Sequence, residues 1–333
     1  MLEKPTLYDN HGRPVNYLRL AVTDRCNLRC FYCMPSEGIN YIPKSELLTY
    51  EEMERIVSVL SELGITKLRI TGGEPFVRKD LIPFLEKLSK IEGLEQINIT
   101  TNGILTAQYL DDLERLGITT VNLSLDTLNE KRFFEITRRN QFKIVENTLN
   151  LLTERNFKVK INTVVMEGKN EEDILDLVNL SKDRNIETRF IEEMPFNGEG
   201  ARFGKITWNH KRILQEIQQF HPEIKNIPAP PHNTANLYEI PGFKSNIGII
   251  PAYTRTFCGS CNRIRMTAQG LLKTCLYDSG VLDVRELIRS GANNDELKNA
   301  FKTAFNTRAK DGFEAEKNRS GSQVSESMST IGG

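Results

Sequence analysis

Tyr17-Leu18-Arg19-Leu20-Ala21-Val22-Thr23-Asp24-Arg25-Cys26-Asn27-Leu28-Arg29-Cys30-Phe31-Tyr32-Cys33 is the stretch on which the reading of this chain turns. Its first part alternates polar and apolar residues with the period of a strand. Its second part is a set of three cysteines with three and then two residues between them. A thiol-rich loop at the carboxyl end of a strand stands where barrel enzymes keep their chemistry. Outward from here, a strand-like run, a polar or glycine-containing turn and a helix-period segment recur up to about residue 194. Six strands are predicted: Tyr17 to Val22, Thr66 to Thr71, Gln96 to Thr100, Thr120 to Leu125, Lys158 to Val165 and Glu187 to Ile191. Helices such as Tyr50 to Leu63 and Asn170 to Asp183 fall between them. Such β-α units in series predict a parallel sheet, either doubly wound or curled into a partial barrel.

The phase of the polar residues favours the barrel. One column on each strand is polar: Arg19, Lys67 and Arg69, Asn98 and Thr100, Asn122 and Ser124, Lys160 and Asn162, and Arg189. The intervening Leu18, Leu20, Leu68, Ile70, Ile97, Ile99, Val121, Leu123, Val159 and Ile161 suit packing against helices. An ordinary barrel fills its lumen with branched apolar side chains, so cations in mid-strand need partners. Internal salt bridges or strand-end exposure would satisfy them; so would a wet lumen holding a multiply charged anion.

The repeat stops near residue 195. Trp208 to Phe220 reads as a helix, Pro228-Ala229-Pro230-Pro231 as a stiff connector, and strand-like pieces follow around Leu237 and Ile249. Further helices are predicted near Val284 to Arg289 and Asp295 to Thr307. The expected organisation is an N-terminal extension (1–15), a partial barrel (16–200), a second-cluster and substrate-binding region (201–310) and a polar tail (311–333). A Ser-rich tail is disordered by default. The fold class is α/β, a partial six-unit TIM-type barrel with a C-terminal α+β extension.

Composition narrows the functions. In 333 residues, 44 Lys plus Arg balance 44 Asp plus Glu, so no bulk field exists to hold a nucleic acid or an anionic membrane. No apolar run approaches a membrane span, and Met1-Leu2-Glu3-Lys4-Pro5 lacks the regions of a signal peptide, so a cytoplasmic location is expected. Six cysteines in such a compartment are more readily metal ligands than disulfides. Soft thiolates select iron-sulfur clusters or zinc. Structural zinc wants a fourth ligand, and none lies close to Cys26, Cys30 and Cys33. Three thiolates can hold a four-iron cubane with one iron open for chemistry. Cys258, Cys261 and Cys275 form a second triad, with His221 and His232 well upstream, so a zinc site completed by a distant residue stays open there.

The Cys-x3-Cys-x2-Cys spacing, with an aromatic residue before the last cysteine, resembles the signature of radical S-adenosylmethionine enzymes. Gly72-Gly73-Glu74-Pro75 is similar to that superfamily's second motif. Its glycines permit close backbone approach, and Glu74 offers a carboxylate for an ammonium group. The residues Asn262-Arg263-Ile264-Arg265 after Cys261, the segment Gly12-Arg13-Pro14 with the residues leading into Cys26, and the Ile331-Gly332-Gly333 end narrow the resemblance to the GTP 3′,8-cyclase family of molybdenum cofactor biosynthesis. The resemblance implies two 4Fe-4S clusters and S-adenosylmethionine as cofactors. It implies cofactor cleavage to a 5′-deoxyadenosyl radical, hydrogen removal from C3′ of GTP, and attack of that carbon on C8 to give 3′,8-cyclo-7,8-dihydro-GTP. By the resemblance, Cys26, Cys30, Cys33, Cys258, Cys261 and Cys275 ligate metal. GTP contacts fall on Arg19, Arg69, Thr100, Lys160, Arg263 and Arg265, with Arg189 and Lys67 as phosphate neighbours and Arg19 as a catalytic residue for the late proton transfer or reduction. Cofactor contacts fall on Tyr32, Gly73, Glu74, Ser124, Asn162 and Met194. The implied partners are GTP, a reductant and a downstream pterin-forming enzyme, with a homodimer as one possible assembly. The Gly-Gly tail is expected to reach the active site. The alternatives are a peptide-maturing radical enzyme, which leaves Arg263 and Arg265 unexplained, and a non-catalytic metal-binding regulator, against which the open triad and the polar lumen argue.

Overall fold

The computed structural model describes residues 6–35, 38–196, 206–319 and 326–332. Six strands follow in chain order: β1 (Tyr17–Ala21), β2 (Lys67–Thr71), β3 (Gln96–Thr101), β4 (Thr120–Ser124), β5 (Lys158–Val165) and β6 (Ile186–Glu192). Each runs parallel to the next. They match the predicted strands to within a residue or two. The C-terminal region adds β7 (Lys225–Ile227), β8 (Asn236–Glu239), β9 (Ile247–Ile250), β10 (Arg263–Met266), β11 (Leu271–Lys273) and β12 (Leu282–Asp283).

These later strands extend both edges of the same sheet, whose order is β12-β11-β10-β1-β2-β3-β4-β5-β6-β9-β8-β7. Because β10 is parallel to β1 and β9 to β6, eight successive strands are parallel. The partial barrel is thus longer than its six β-α units. The antiparallel pieces beyond β9 and β10 cover edges that would otherwise present unpaired backbone groups.

Amphipathic helices seal the outer face. Helix Tyr50–Glu62 starts at a capping box: Thr49 Oγ1 accepts from Glu52 N at 3.1 Å, and Glu52 Oε2 accepts from Thr49 N at 2.7 Å. Its Met53, Ile56, Val57 and Leu60 join Leu18, Leu20, Leu68 and Ile70 in one buried core. Val145, Leu149 and Leu152 of helix Phe142–Glu154 join the same core, as do Val121, Leu123, Val159 and Ile161.

That packing leaves the other column pointing inward, in register. Arg19 of β1 stands level with Arg265 of β10 and Arg69 of β2, and Arg69 with Asn98 of β3. Thr100, Asn122 and Lys160 form a second row, and Ser124, Asn162 and Arg189 a third. Register partners share a face, so the polar columns form one surface. No helix among the described residues is long and apolar enough to cross a membrane.

Candidate active site

The loop after β1 brings Cys26, Cys30 and Cys33 to the wall of one cavity, which Thr100, Ser124, Asn162 and Met194 also line. Tyr32 and Gly73 line it too, so five of the six expected cofactor contacts meet here. Glu74 does not: it is fully buried and takes hydrogen bonds from Asn102 N at 2.7 Å, Thr101 Oγ1 at 2.8 Å and Phe76 N at 3.3 Å. Burial still raises its carboxyl to about 7. Its oxygens are committed to the chain, which corrects the expectation that it meets an ammonium group: it pins the end of β3 to the Gly72-Gly73 turn.

The two glycines also serve a contact within the chain. At Gly72 (φ 152°) an added Cβ would stand 2.5 Å from the Thr23 carbonyl oxygen, and at Gly73 it would collide with that of Arg25. Gly73 N donates to Thr23 O and Glu74 N to Arg25 O, both at 2.8 Å. The β2 turn is therefore pressed against the approach to the cysteine loop.

Asp126 has no motif around it, and reading the sequence missed it. It lines the cavity, accepts from Tyr32 OH at 2.8 Å and from Val164 N at 2.9 Å, and is raised to about 6 by burial. Its one local signal is its position two residues past Ser124, just beyond the end of β4. Glu192, also on the wall, accepts from His210 N at 2.7 Å and Thr254 N at 2.7 Å, tying β6 to the C-terminal region.

The inward cations stand apart from this wall. Arg69 donates to Tyr17 OH through Nε and to Thr100 Oγ1 at 3.3 Å through Nη1. Lys67 lies 5.0 Å from the centre of the Tyr17 ring. Burial alone would raise the Tyr17 phenol, but the charges of Arg69, Arg19 and Lys67 outweigh it and bring it down to about 8. Burial and the neighbouring Arg263 lower Arg265 to about 10, and burial with Arg265 holds Arg19 well below the usual guanidinium range. Lys160 Nζ lies 3.3 Å from Glu187 Oε2, and Arg189 Nε pairs with Glu187 Oε1. The internal salt bridge weighed at the outset is therefore present on β5 and β6, with Glu187 as a partner not singled out beforehand.

The second triad comes from two strand ends. Cys258 and Cys261 flank the short turn before β10, and Cys275 follows β11. Arg263 Nη2 donates to Cys261 Sγ at 3.5 Å and Arg308 Nη2 to the same sulfur at 3.3 Å. Burial would raise this thiol; the two guanidinium charges draw it down to about 6. His232 reaches this loop, but its Nδ1 stands 2.8 Å from the carbonyl of Ser260.

The tail departs from its default reading. Glu326 pairs with the fully buried Lys273 at 2.8 Å, Ser327 Oγ donates to Cys33 O at 2.6 Å, and Met328 and Ser329 line the cavity. Arg265 Nη1 donates to Gly332 O at 2.7 Å. A buried cation, a guanidinium and the buried Ile331 outweigh the polar composition over 326–332. Gly333 lies outside the described residues, as does 320–325.

The donor set fits iron-sulfur clusters and a bound cofactor. Burial, with the Glu74 charge, pushes Cys26 up to about 12, and Cys30 and Cys33 rise with it, a cost that a metal replacing the protons removes. Among the described residues no metal-ligating side chains converge on a single-ion geometry. A cubane, in which each thiolate meets its own iron, does not require that convergence. The buried Thr71 Oγ1 and Asn162 Oδ1 on the cavity wall, and Asn98 Oδ1 and Asn122 Oδ1 in the polar column, lack a hydrogen-bond partner among the described residues. Unpartnered buried polar atoms facing a cavity suit a polar ligand.

Comparisons with known proteins identify the family. The model of the radical SAM superfamily matches residues 20–181, and that described as Molybdenum Cofactor Synthesis C matches 186–313. Human molybdenum cofactor biosynthesis protein 1 is 41% identical over 292 residues, covering 87% of this chain and 46% of that protein. The chain spans about half the length of this and similar animal relatives. The GTP 3′,8-cyclase of Peptoclostridium acidaminophilum is 40% identical over 308 residues, covering 90% of this chain and 93% of that protein. Among solved structures, Streptococcus suis SuiB bound to S-adenosylmethionine is similar in fold, with a TM-score of 0.61 at 16% identity over 88% of this chain and 69% of that one. Matched along nearly the whole of a bacterial relative at this identity, the chain belongs to the GTP 3′,8-cyclase family of the radical SAM superfamily.

Proposed function

We propose that this chain converts GTP to 3′,8-cyclo-7,8-dihydro-GTP, with 4Fe-4S clusters on Cys26, Cys30 and Cys33 and on Cys258, Cys261 and Cys275. One observation carries the reading: a cationic path runs from the second thiol set to the cavity of the first. Arg263 bonds Cys261 Sγ, Tyr17 stands level with Arg263, Arg69 bonds both Tyr17 and Thr100, and Thr100 lines the cavity. A triphosphate between the two sets would find guanidinium donors in a space shielded from water.

When bound, the first cluster supplies the electron that cleaves S-adenosylmethionine. The chain's residues do the rest of the positioning. Tyr32, Gly73, Ser124, Asn162 and Met194 hold the cofactor, and Asp126 orients Tyr32. Arg19, Arg69, Arg263 and Arg265 bind the nucleotide, and Lys160 and Arg189 are recruited from Glu187 towards its phosphates. Arg19, at the centre of the row, holds a proton for the final reduction. Met328 and Ser329 form part of the wall around the cofactor. A reductant must supply electrons, and a pterin-forming enzyme must take the product.

The test is anaerobic. Cluster-loaded protein is given dithionite and S-adenosylmethionine, and 5′-deoxyadenosine is quantified with GTP, with ATP and with neither. Stimulation by GTP alone is expected. Cleavage indifferent to nucleotide would overturn the substrate, and no cleavage by fully loaded protein would overturn the enzyme.

A further inference from the structure

Arg308 lies three residues beyond helix Asn294–Phe305 and is 3% exposed. A guanidinium has five N–H donors in a fixed fork. All five are engaged here. Nε donates to Thr274 O at 3.0 Å; Nη1 to Asp9 Oδ2 at 3.2 Å and Cys261 O at 3.0 Å; Nη2 to Arg263 O at 2.8 Å and Cys261 Sγ at 3.3 Å. Two of these acceptors belong to Cys261, and a third, Thr274, immediately precedes Cys275.

The anchor comes from the far end of the chain. Asp9 is buried and also accepts from Arg13 Nε at 2.7 Å. Arg13 in turn donates to Cys258 O at 3.1 Å and to Lys310 O at 2.6 Å. One carboxylate thus holds two guanidinium groups, and each group grips a cysteine of the same set. Asp9 balances only one of the two charges. The second cation needs an anion, and the thiolate of Cys261 is in contact with it. Backbone amides approach the other two sulfurs, from Gly312 at Cys258 and from Tyr277 at Cys275.

We infer that Arg308, anchored by Asp9, is a positioning residue for the cluster on Cys258, Cys261 and Cys275: it fixes the Cys261 sulfur and withdraws electron density from it, so that this cluster accepts an electron more readily. The inference rests on reading these three cysteines as cluster ligands. Its physical basis is that hydrogen bonds to ligand sulfurs raise the reduction potential of an iron-sulfur cluster, and that partners of the ligands are costly to remove.

The test uses the full chain carrying Cys26→Ala, Cys30→Ala and Cys33→Ala, so that only the second set can load. Iron and sulfide content and the midpoint potential are measured after anaerobic reconstitution. Arg308→Lys, which keeps the charge but loses the fork, is expected to load and to shift the midpoint to a more negative value. Arg308→Gln should shift it further or lose iron, and recovery of iron in the Lys variant would support the positioning role. Asp9→Asn, which leaves Arg308 in place on a looser anchor, should shift the midpoint less than Arg308→Lys. An unmoved midpoint in every loaded variant overturns the role of Arg308 and leaves the cluster intact. A parent that binds no iron overturns the cluster reading itself.

Discussion

Cys26, Cys30 and Cys33 come from one loop after β1, in a cavity whose charged neighbours are carboxyl groups: Asp126, Glu192 and Glu193 on the wall, Glu74 behind it. Cys258, Cys261 and Cys275 are gathered from two turns, and Cys261 is held by Arg263 and Arg308. Burial raises all three thiols of the first set and also Cys258 and Cys275 of the second, whereas guanidinium charge lowers Cys261. Carboxyl groups thus stand around the first set and guanidinium groups around Cys261. An acid-rich pocket suits the ammonium and sulfonium groups of S-adenosylmethionine, and a cationic one suits a nucleotide triphosphate.

Removing one cysteine from each set should break this division most sharply. Cys30→Ala is expected to abolish 5′-deoxyadenosine formation altogether. Cys275→Ala should retain slow cleavage by the first cluster while losing its stimulation by GTP. Iron content with product analysis by chromatography separates the two, and identical phenotypes would mean that the sets do not divide the work.

A smaller effect tests the field alone. With Arg263→Ala and Arg265→Ala together, GTP affinity should fall by about 100-fold or more, since each hydrogen bond to a charged group contributes about 1.5–3 kcal/mol. Both clusters should stay loaded. Equilibrium binding under anaerobic conditions checks it, and retained affinity would move the nucleotide site elsewhere.

The mildest test is the pH dependence of binding. Tyr17 is drawn down to about 8 by the cations around it, so above that pH it becomes a phenolate that cancels part of their field. The protonated form therefore binds the polyanion better, and GTP affinity should fall as pH rises from 7 through 8 to 9.5. By linkage, bound GTP should raise the Tyr17 pKa. Tyr17→Phe should flatten the profile, and an unchanged slope would remove Tyr17 from the field.

Much of this division was legible along the chain. The two cysteine spacings, the Gly72-Gly73 turn and the alternation that turns Arg19, Arg69, Lys160 and Arg189 inward are local signals, because a strand's period of two needs only neighbours in sequence. Glu74 misled, because its carboxylate could be assigned to a ligand or to the chain, and the donors that claim it, Thr101 and Asn102, come from the end of another strand. Asp126 and Glu187 carried no motif; they matter through Tyr32 in the first case and through Lys160 and Arg189 in the second.

Periodicity and spacing thus specified the kind of fold, the two thiol sets and the sign of the charge inside, since these depend on short-range order in the chain. Which groups meet was decided by folding alone. Strand β10 lies beside β1 because an open parallel edge needs a partner, and that single pairing brings Arg265 level with Arg19. It also brings Arg263, which bonds Cys261 Sγ, level with Tyr17. The bonds from Asp9 to Arg308 and from Arg265 to Gly332 join residues that no local pattern connects, and they form because buried charges and carbonyls must be satisfied wherever the fold leaves them.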